Sequence, residues 1–387
     1  MSYIADTYSR FPISVSSAQG IKVWDSEGRE YIDTFMGIGV LLFGHNYPPV
    51  IRAMKDKMDR YVHLSNFFVD EDAEVVAERL VRETGRNGRV FFTNSGAEST
   101  ECALKVVRKV KKSGKIVSFV KNFHGRTMKS LSITGFDDLR RQFVDEKDVV
   151  FLPYDAKIVR GFFEMESDIS AVFLEVLHSS GGLDLIPLEI VDLINHYRTS
   201  HNFILVADEV QSGLGRTGKF YAYQYFDFEP NIITVAKGIG GGLPLGACVM
   251  LDDLSNAFVT GDHGSTFAPN PVALAAGRAV LSLINNELLE HVREMGEIFK
   301  SKFSALGEVR GLGLMRGIKF PDNISMKLTK ELFLSQGLLV NVISNGVIRF
   351  LLPLNVTIQD MGEVFDRFVH GIESVESEIH QGLKVAN

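Results

Sequence analysis

The stretch "FILVADEVQSGLGRTG" (residues 203–218) decides the fold. An apolar run, Phe203 to Ala207, drives straight into two acids, Asp208 and Glu209, and glycines follow. A carboxylate at the end of a buried strand is costly unless a partner meets it. The run therefore reads as an interior strand that ends at a site, and the identity of the partner becomes the question.

Working outward, "KIVSFV" (115–120), "SAVFLEVL" (170–177), "NIITVAKG" (231–238) and "GACVML" (246–251) have the same character. Each reads as a strand buried on both faces, while "PLEIVDLINHYRTSH" (187–201) carries apolar residues at helical spacing. Strands alternating with helices imply right-handed crossovers and a mostly parallel sheet. Ligands of such sheets gather at the carboxyl ends of the strands, where both Asp208 and Lys237 fall. Past residue 270 the pattern changes. Leu288, Val292, Met295, Phe299, Phe303 and Leu306 line one helical face, "VRGLGLMRGIKF" (309–320) reads as a turn followed by a strand, and a strand pair is expected around "VIRFLLPL" (347–354). Near the start, "IKVWDSEGREYID" (21–33) reads as a hairpin turning at Ser26–Gly28. The expectation is an α/β chain with a large domain over 46–270, a smaller α+β domain over 271–387, and a segment 1–45 that joins the small domain.

Composition narrows the function. The 387 residues are 45% hydrophobic, ample for a packed core, and the formal charge of −7 gives nucleic-acid binding little support. The most basic stretch, "RKVKKSGK" (108–115), reads as a solvated helix end, where cations suit the macrodipole. Neither a signal peptide nor a membrane span is visible, and Cys102 and Cys248 read as buried free thiols with no zinc-like spacing. A cytoplasmic protein with no metal, nucleic-acid or membrane partner is expected.

Three features carry chemistry together. The glycine-rich "NSGAESTECALKVVRK" (94–109) follows a strand-like "RVFFT" and opens a helix, so it is either a phosphate cradle or a tight turn with an N-cap. Lys237 sits at a strand end before a run of glycines. It either snorkels to solvent or holds an aldehyde cofactor as a Schiff base, which removes the cost of a buried ammonium. Asp208 suits the second alternative, because pyridoxal phosphate works as an electron sink only when its ring nitrogen stays protonated. Cradle, strand-end acid and strand-end lysine are the three parts that this cofactor needs.

Over nearly its whole length the chain resembles the class III pyridoxal-phosphate aminotransferases of the acetylornithine/ornithine type. The segments that carry the likeness are "WDSEGREYID", "FGHNYP", "NSGAES", "NFHGRTMKSLSITG", the run from Asp208 to Ala247, "GDHGSTFAPNP" and "VRGLGLMRGI". The resemblance implies aminotransferase fold type I with a seven-stranded-type sheet, and transfer of an amino group from a basic or terminal-amine amino acid to 2-oxoglutarate by a ping-pong mechanism. It also implies a place in arginine biosynthesis and a homodimer with shared active sites. Residue by residue, Lys237 would bind the cofactor covalently and shuttle protons, Asp208 would hold the ring nitrogen and Gln211 the ring hydroxyl. Val210 and Phe123 would cover the two ring faces, and Gly96 and Ala97 would donate N–H groups to the phosphate. Thr266 would reach the phosphate in the neighbouring subunit. For substrate, Arg126 would take the donor's carboxylate and Arg349 that of 2-oxoglutarate, with Ser265 and Tyr8 nearby. Without the family frame, Arg349 reads as a surface ion pair on a strand.

The chain departs from the family at "EVLHSSGG" (175–182), where relatives read "EPVQGEGG", and at "TFAPNP" (266–271), where they favour "TFGGNP". Ser180 replaces the glutamate that masks the 2-oxoglutarate arginine in ornithine- and aminobutyrate-type members, which implies an unmasked Arg349. His178 either bonds substrate or cofactor, or is a neutral ring that fills the glutamine's space. Three readings of function remain open on the sequence. They are a transaminase whose donor is acetylornithine, ornithine, lysine or 4-aminobutyrate, a pyridoxal-phosphate racemase on the same scaffold, and a binding scaffold without turnover.

Overall fold

The computed structural model describes residues 3–144, 146–320 and 322–385. Three N-terminal strands, β1 (Val15–Gln19), β2 (Lys22–Asp25) and β3 (Glu30–Asp33), form an antiparallel meander. Its β2–β3 turn is closed by Asp25, whose carboxylate accepts the backbone N–H groups of Glu27 and Arg29.

The central sheet is built from β4 (Gly88–Thr93), β5 (Lys115–Phe119), β6 (Val149–Leu152), β7 (Ile169–Leu174), β8 (Ile204–Asp208), β9 (Ile232–Val235) and β10 (Gly246–Leu251). Their order across the sheet is β4-β10-β9-β8-β7-β5-β6. Neighbours from β6 to β9 run parallel, and β10 runs antiparallel to both β9 and β4. Every residue of β7, β8, β9 and β10 is buried, as continuous apolar runs covered by helices on both faces require. The helices Gly96–Lys111, Ala156–Met165 and Leu188–His201 supply much of that cover, and the expected mostly parallel sheet is present.

The helices Pro271–Leu283 and Asn286–Phe303 lead into the C-terminal part. In the second of these, Val292, Met295, Phe299 and Phe303 are buried, in line with the apolar stripe. Where a turn and one strand were expected at 309–320, there are two: β11 (Glu308–Leu312) and β12 (Met315–Lys319) form a hairpin whose turn holds Gly313 at φ +56°. After them come β13 (Leu338–Leu339), β14 (Asn341–Ile343) and β15 (Val347–Phe350). The order β11-β12-β15-β14 makes one sheet, while β13 leaves it to pair in parallel with β3 of the N-terminal meander. The first 45 residues and the C-terminal segment are thus joined by a ladder that no local sequence pattern announces. Among the described residues no single helix is long and apolar enough to cross a membrane.

Candidate active site

The carboxyl ends of β8 and β9 and the amino end of the helix Gly96–Lys111 open on one cavity of about 460 Å³. Gly96, Ala97, Phe123, Arg126, Asp208, Val210, Gln211 and Lys237, eight of the positions expected from the sequence, all line it.

Ser95 caps the helix, its hydroxyl accepting the Glu98 N–H. The first-turn N–H groups of Gly96 and Ala97 have no intrahelical acceptor and face a site suited to an anion. A Cβ on Gly96 would stand 2.7 Å from Val210 Cγ1, so only glycine lets the turn and Val210 close on each other.

Lys237 opens a short 3-10 turn, Lys237–Gly240, at φ +51°, a left-handed backbone that glycine tolerates and lysine adopts at a cost of about 1 kcal/mol or more. Among the described residues the amine has no ion-pair partner. Burial is the main force pushing its pKa down to about 8, and Arg349 adds to that while Asp208 and Glu175 oppose it.

The question raised by the two strand-end acids has two answers. Asp208 Oδ2 lies 2.7 Å from His124 Nδ1, and its Oδ1 accepts the Val210 N–H at 3.0 Å. Glu209 points the other way and accepts Ala222 N–H at 2.9 Å, Tyr223 N–H at 2.7 Å and the Ser212 hydroxyl at 2.9 Å. Glu209 is thus a structural clasp, while Asp208 lines the cavity. Beside them, Glu175 accepts Phe123 N–H at 2.7 Å, while its own N–H is held by Asn122 Oδ1 at 2.7 Å. Burial, then the charge of Asp208, pushes the Glu175 pKa up to about 7.

Arg349 is only 3% exposed and lies behind the cavity wall, not on a surface as a lone strand arginine would suggest. Its Nη1 donates to Gln211 Oε1 at 2.9 Å and to the Ser179 carbonyl, its Nη2 donates to Asn341 Oδ1 at 2.6 Å, and its Nε is buried without a partner. Among the described residues no carboxylate lies within 4 Å, so the guanidinium is collared by neutral oxygens, and burial brings its pKa down to about 10. Ser180 does not touch it through the side chain; it lines an adjoining cavity.

Three expected positions do not line the cavity of their own chain. Thr266 is exposed, Ser265 spends its hydroxyl on the Ala268 N–H at 3.0 Å, and Tyr8 is 73% exposed. His178 is also away from the cavity. It stacks on Tyr154 at 4.6 Å, neither ring nitrogen has a partner, and burial pushes its pKa down to about 4, which makes it the neutral space-filling ring. Sequence reasoning gave no role to His124, Glu175 or Asn122. The first sits inside the motif "NFHGRT", yet its partner is 84 residues away.

These features fit pyridoxal phosphate: free helix-end amides for its phosphate, an acid braced by histidine for its ring nitrogen, and an unpaired lysine at a backbone outlier for its aldehyde. Among the described residues no cluster of three His, Cys, Asp or Glu side chains is placed to hold a metal ion.

The family described as aminotransferase class-III matches residues 3–372. An acetylornithine aminotransferase of Aquifex aeolicus is 38% identical over 364 residues, 92% of this chain and 95% of its own. One from Methanopyrus kandleri is 39% identical over 362 residues, 91% and 92% of the two chains. Among solved structures, the ornithine aminotransferase of Toxoplasma gondii superposes with a TM-score of 0.90 at 26% identity, covering 97% of this chain and 94% of that one. A second structure of that enzyme is described with partial occupancy of PLP at the active site. The N-acetylornithine aminotransferase of Stenotrophomonas maltophilia superposes with a TM-score of 0.82 at 28% identity over 96% and 98% of the two chains.

Proposed function

Because the chain belongs to the class III aminotransferases, which depend on pyridoxal phosphate, we propose that it moves an amino group from a terminal-amine amino acid of the acetylornithine/ornithine type to 2-oxoglutarate by a ping-pong mechanism. The observation that carries this reading is the convergence of Lys237, Asp208 and the free Gly96 and Ala97 amides on one cavity, with the guanidinium of Arg126 at its edge.

When bound, pyridoxal phosphate supplies the electron sink that acidifies the C–H bond beside the transferred amine. Gly96 and Ala97 would donate to its phosphate. Asp208, braced by His124, would hold the proton on its ring nitrogen, and Val210 and Phe123 would enclose the ring. Lys237, with its pKa near 8, is suited to take a proton from the amine-bearing carbon and return it. Arg126 would receive the donor's carboxylate and Arg349, once its neutral collar opens, that of 2-oxoglutarate. Charge-assisted, two-pronged bonds of this kind orient as well as bind.

The reading includes a cytoplasmic homodimer. Phe67 is 96% and Phe267 68% exposed, with Val62, Phe68 and Val69 exposed beside them, and the Asn66 amide ties this loop to the carbonyls of Ser265 and Ala268. An apolar surface of that kind suits a second copy. Thr266 stands on it, away from its own cavity, where it would serve the neighbouring one. Two buried free thiols suit a reducing compartment.

The test is a half-reaction screen by absorbance of the purified holoenzyme. Conversion to the pyridoxamine form by a terminal-amine donor, and by glutamate, is expected. A normal cofactor spectrum that no terminal-amine donor converts would overturn the reading.

A further inference from the structure

A second cavity of about 360 Å³ adjoins the first and shares two wall residues with it, Phe123 and Arg126. Its other walls include Phe136, Asp138, Ser180, Ile343 and Ser344. Arg126 stands between the two spaces, exposed, its guanidinium carbon 5.6 Å from the Phe123 ring centroid. Among the described residues it has no carboxylate partner. Of the two acids in the second cavity, Asp137 is taken up by Arg140 and Arg141. Asp138 is not: only its backbone carbonyl is engaged, by the Gln142 amide at 3.4 Å, and its carboxylate has no ion pair among the described residues.

A ligand that reaches outward from Lys237 therefore passes a free cation, Arg126, and then enters a space whose free charge is an anion, Asp138. The order matches the far end of an amino acid whose terminal amine reacts: a carboxylate for the guanidinium and an ammonium for the acid. On the aminotransferase reading above, we propose that this second cavity is the distal subsite of the donor. There Asp138 selects donors whose α-nitrogen is a free ammonium, the unacylated α,ω-diamino acids, over donors whose α-nitrogen is acylated. Acylation turns the ammonium into a neutral amide and leaves Asp138 facing a group that cannot pair with it. A space of about 360 Å³ has room for a small acyl group. Charge, not volume, makes the choice. Ser180 leaves this wall uncharged where a glutamate would add a second acid, so Asp138 is its one unpaired anion among the described residues.

The experiment compares kcat/KM for the donor half-reaction of holoenzyme with ornithine and with Nα-acetylornithine, in the natural protein and in Asp138→Asn and Asp138→Ala, with the glutamate half-reaction as internal reference for active protein. The expected result is a preference for ornithine. In both variants that preference falls by about threefold to tenfold, the range from an exposed ion pair to a charged hydrogen bond, through a higher KM for ornithine. A natural protein that prefers Nα-acetylornithine, or a preference unmoved by either substitution while both donors react, would overturn the role of Asp138 and leave the transaminase reading standing. Conversion by neither donor would overturn the role of Asp138, and the same failure with every terminal-amine donor would overturn the transaminase reading as well.

Discussion

His124 Nδ1 stands 2.7 Å from Asp208 Oδ2, with both side chains withdrawn from solvent. An ionised carboxylate only accepts, so the ring donates from Nδ1, and Nε2 is left as a buried atom without a partner. The histidine lines the same cavity as Asp208, and the one hydrogen-bond partner of its ring among the described residues is that carboxylate, so its part would be to orient the acid. Replacing it with leucine removes a buried hydrogen bond to a charged group, and turnover should fall about ten- to a hundredfold with cofactor still bound. His124→Asn, whose amide can stand in for Nδ1–H, should recover part of that loss. Steady-state kcat and the cofactor absorbance of the two variants check it, and equal losses in both would argue against orientation.

Lys237 carries a second consequence. Burial brings its pKa from 10.5 down to about 8, so at pH 7 about a tenth of the amines are neutral, where an unperturbed lysine would have less than a thousandth. Only the neutral amine captures an aldehyde. Capture of pyridoxal phosphate by cofactor-free protein should therefore speed up as pH rises and level off above about pH 8. Lys237→Ala should yield no covalent adduct after borohydride reduction, read by mass spectrometry, and its turnover should fall by at least about 10²–10⁴-fold, the usual share of a general acid–base group.

The collar of Arg349 predicts a specificity effect. Asn341 Oδ1 lies 2.6 Å from Nη2, so Asn341→Asp would put a carboxylate on a guanidinium that now meets only neutral oxygens. The added charge would compete with the acceptor's carboxylate for the same donors. The KM for 2-oxoglutarate should rise about tenfold, while the donor half-reaction rate changes by less than about twofold. Stopped-flow measurement of the two half-reactions separates these effects, and equal losses in both would point to a general distortion of the site.

How far the sequence led depended on the range of each interaction. Asp208 and Lys237 were legible because strand ends next to apolar runs are local features, and Gly96 because helix starts are. The family likeness assembled the cavity around them. The sequence was silent on which residue Asp208 bonds, since His124 is a different loop's residue, and on the Arg349 collar, which draws on three separate segments through Ser179, Gln211 and Asn341. The pairing of β13 with β3 escaped for the same reason, joining Leu338 to Ile32 across most of the chain. The first strand of the β11–β12 hairpin was hidden because three glycines within seven residues, Gly307, Gly311 and Gly313, blur its alternation.

Arg216 offers a test of how the parts are held together. It is fully buried, and its Nη1 donates to the carbonyls of Leu314, in the β11–β12 turn, and Leu352, just past β15. Its own carbonyl accepts the Leu314 N–H at 3.0 Å. The same loop is closed by Gly313, where an added Cβ would stand 2.5 Å from the Thr217 carbonyl carbon. No carboxylate pairs with the guanidinium among the described residues, and burial brings its pKa down to about 9. Arg216 therefore works as a strut between the loop after β8 and the C-terminal sheet that carries Arg349. Arg216→Ala would leave two carbonyls without donors and open a cavity. A loss of about 3–5 kcal/mol in unfolding free energy is expected, from the sum of both effects. Because Leu352 lies three residues beyond Arg349, the surviving folded fraction should also bind 2-oxoglutarate more weakly. Arg216→Met, which refills the volume without the donors, should recover stability more than acceptor affinity. Chemical denaturation and the 2-oxoglutarate half-reaction, measured on both variants, decide it: recovery of both in parallel would show that Arg216 only fills space.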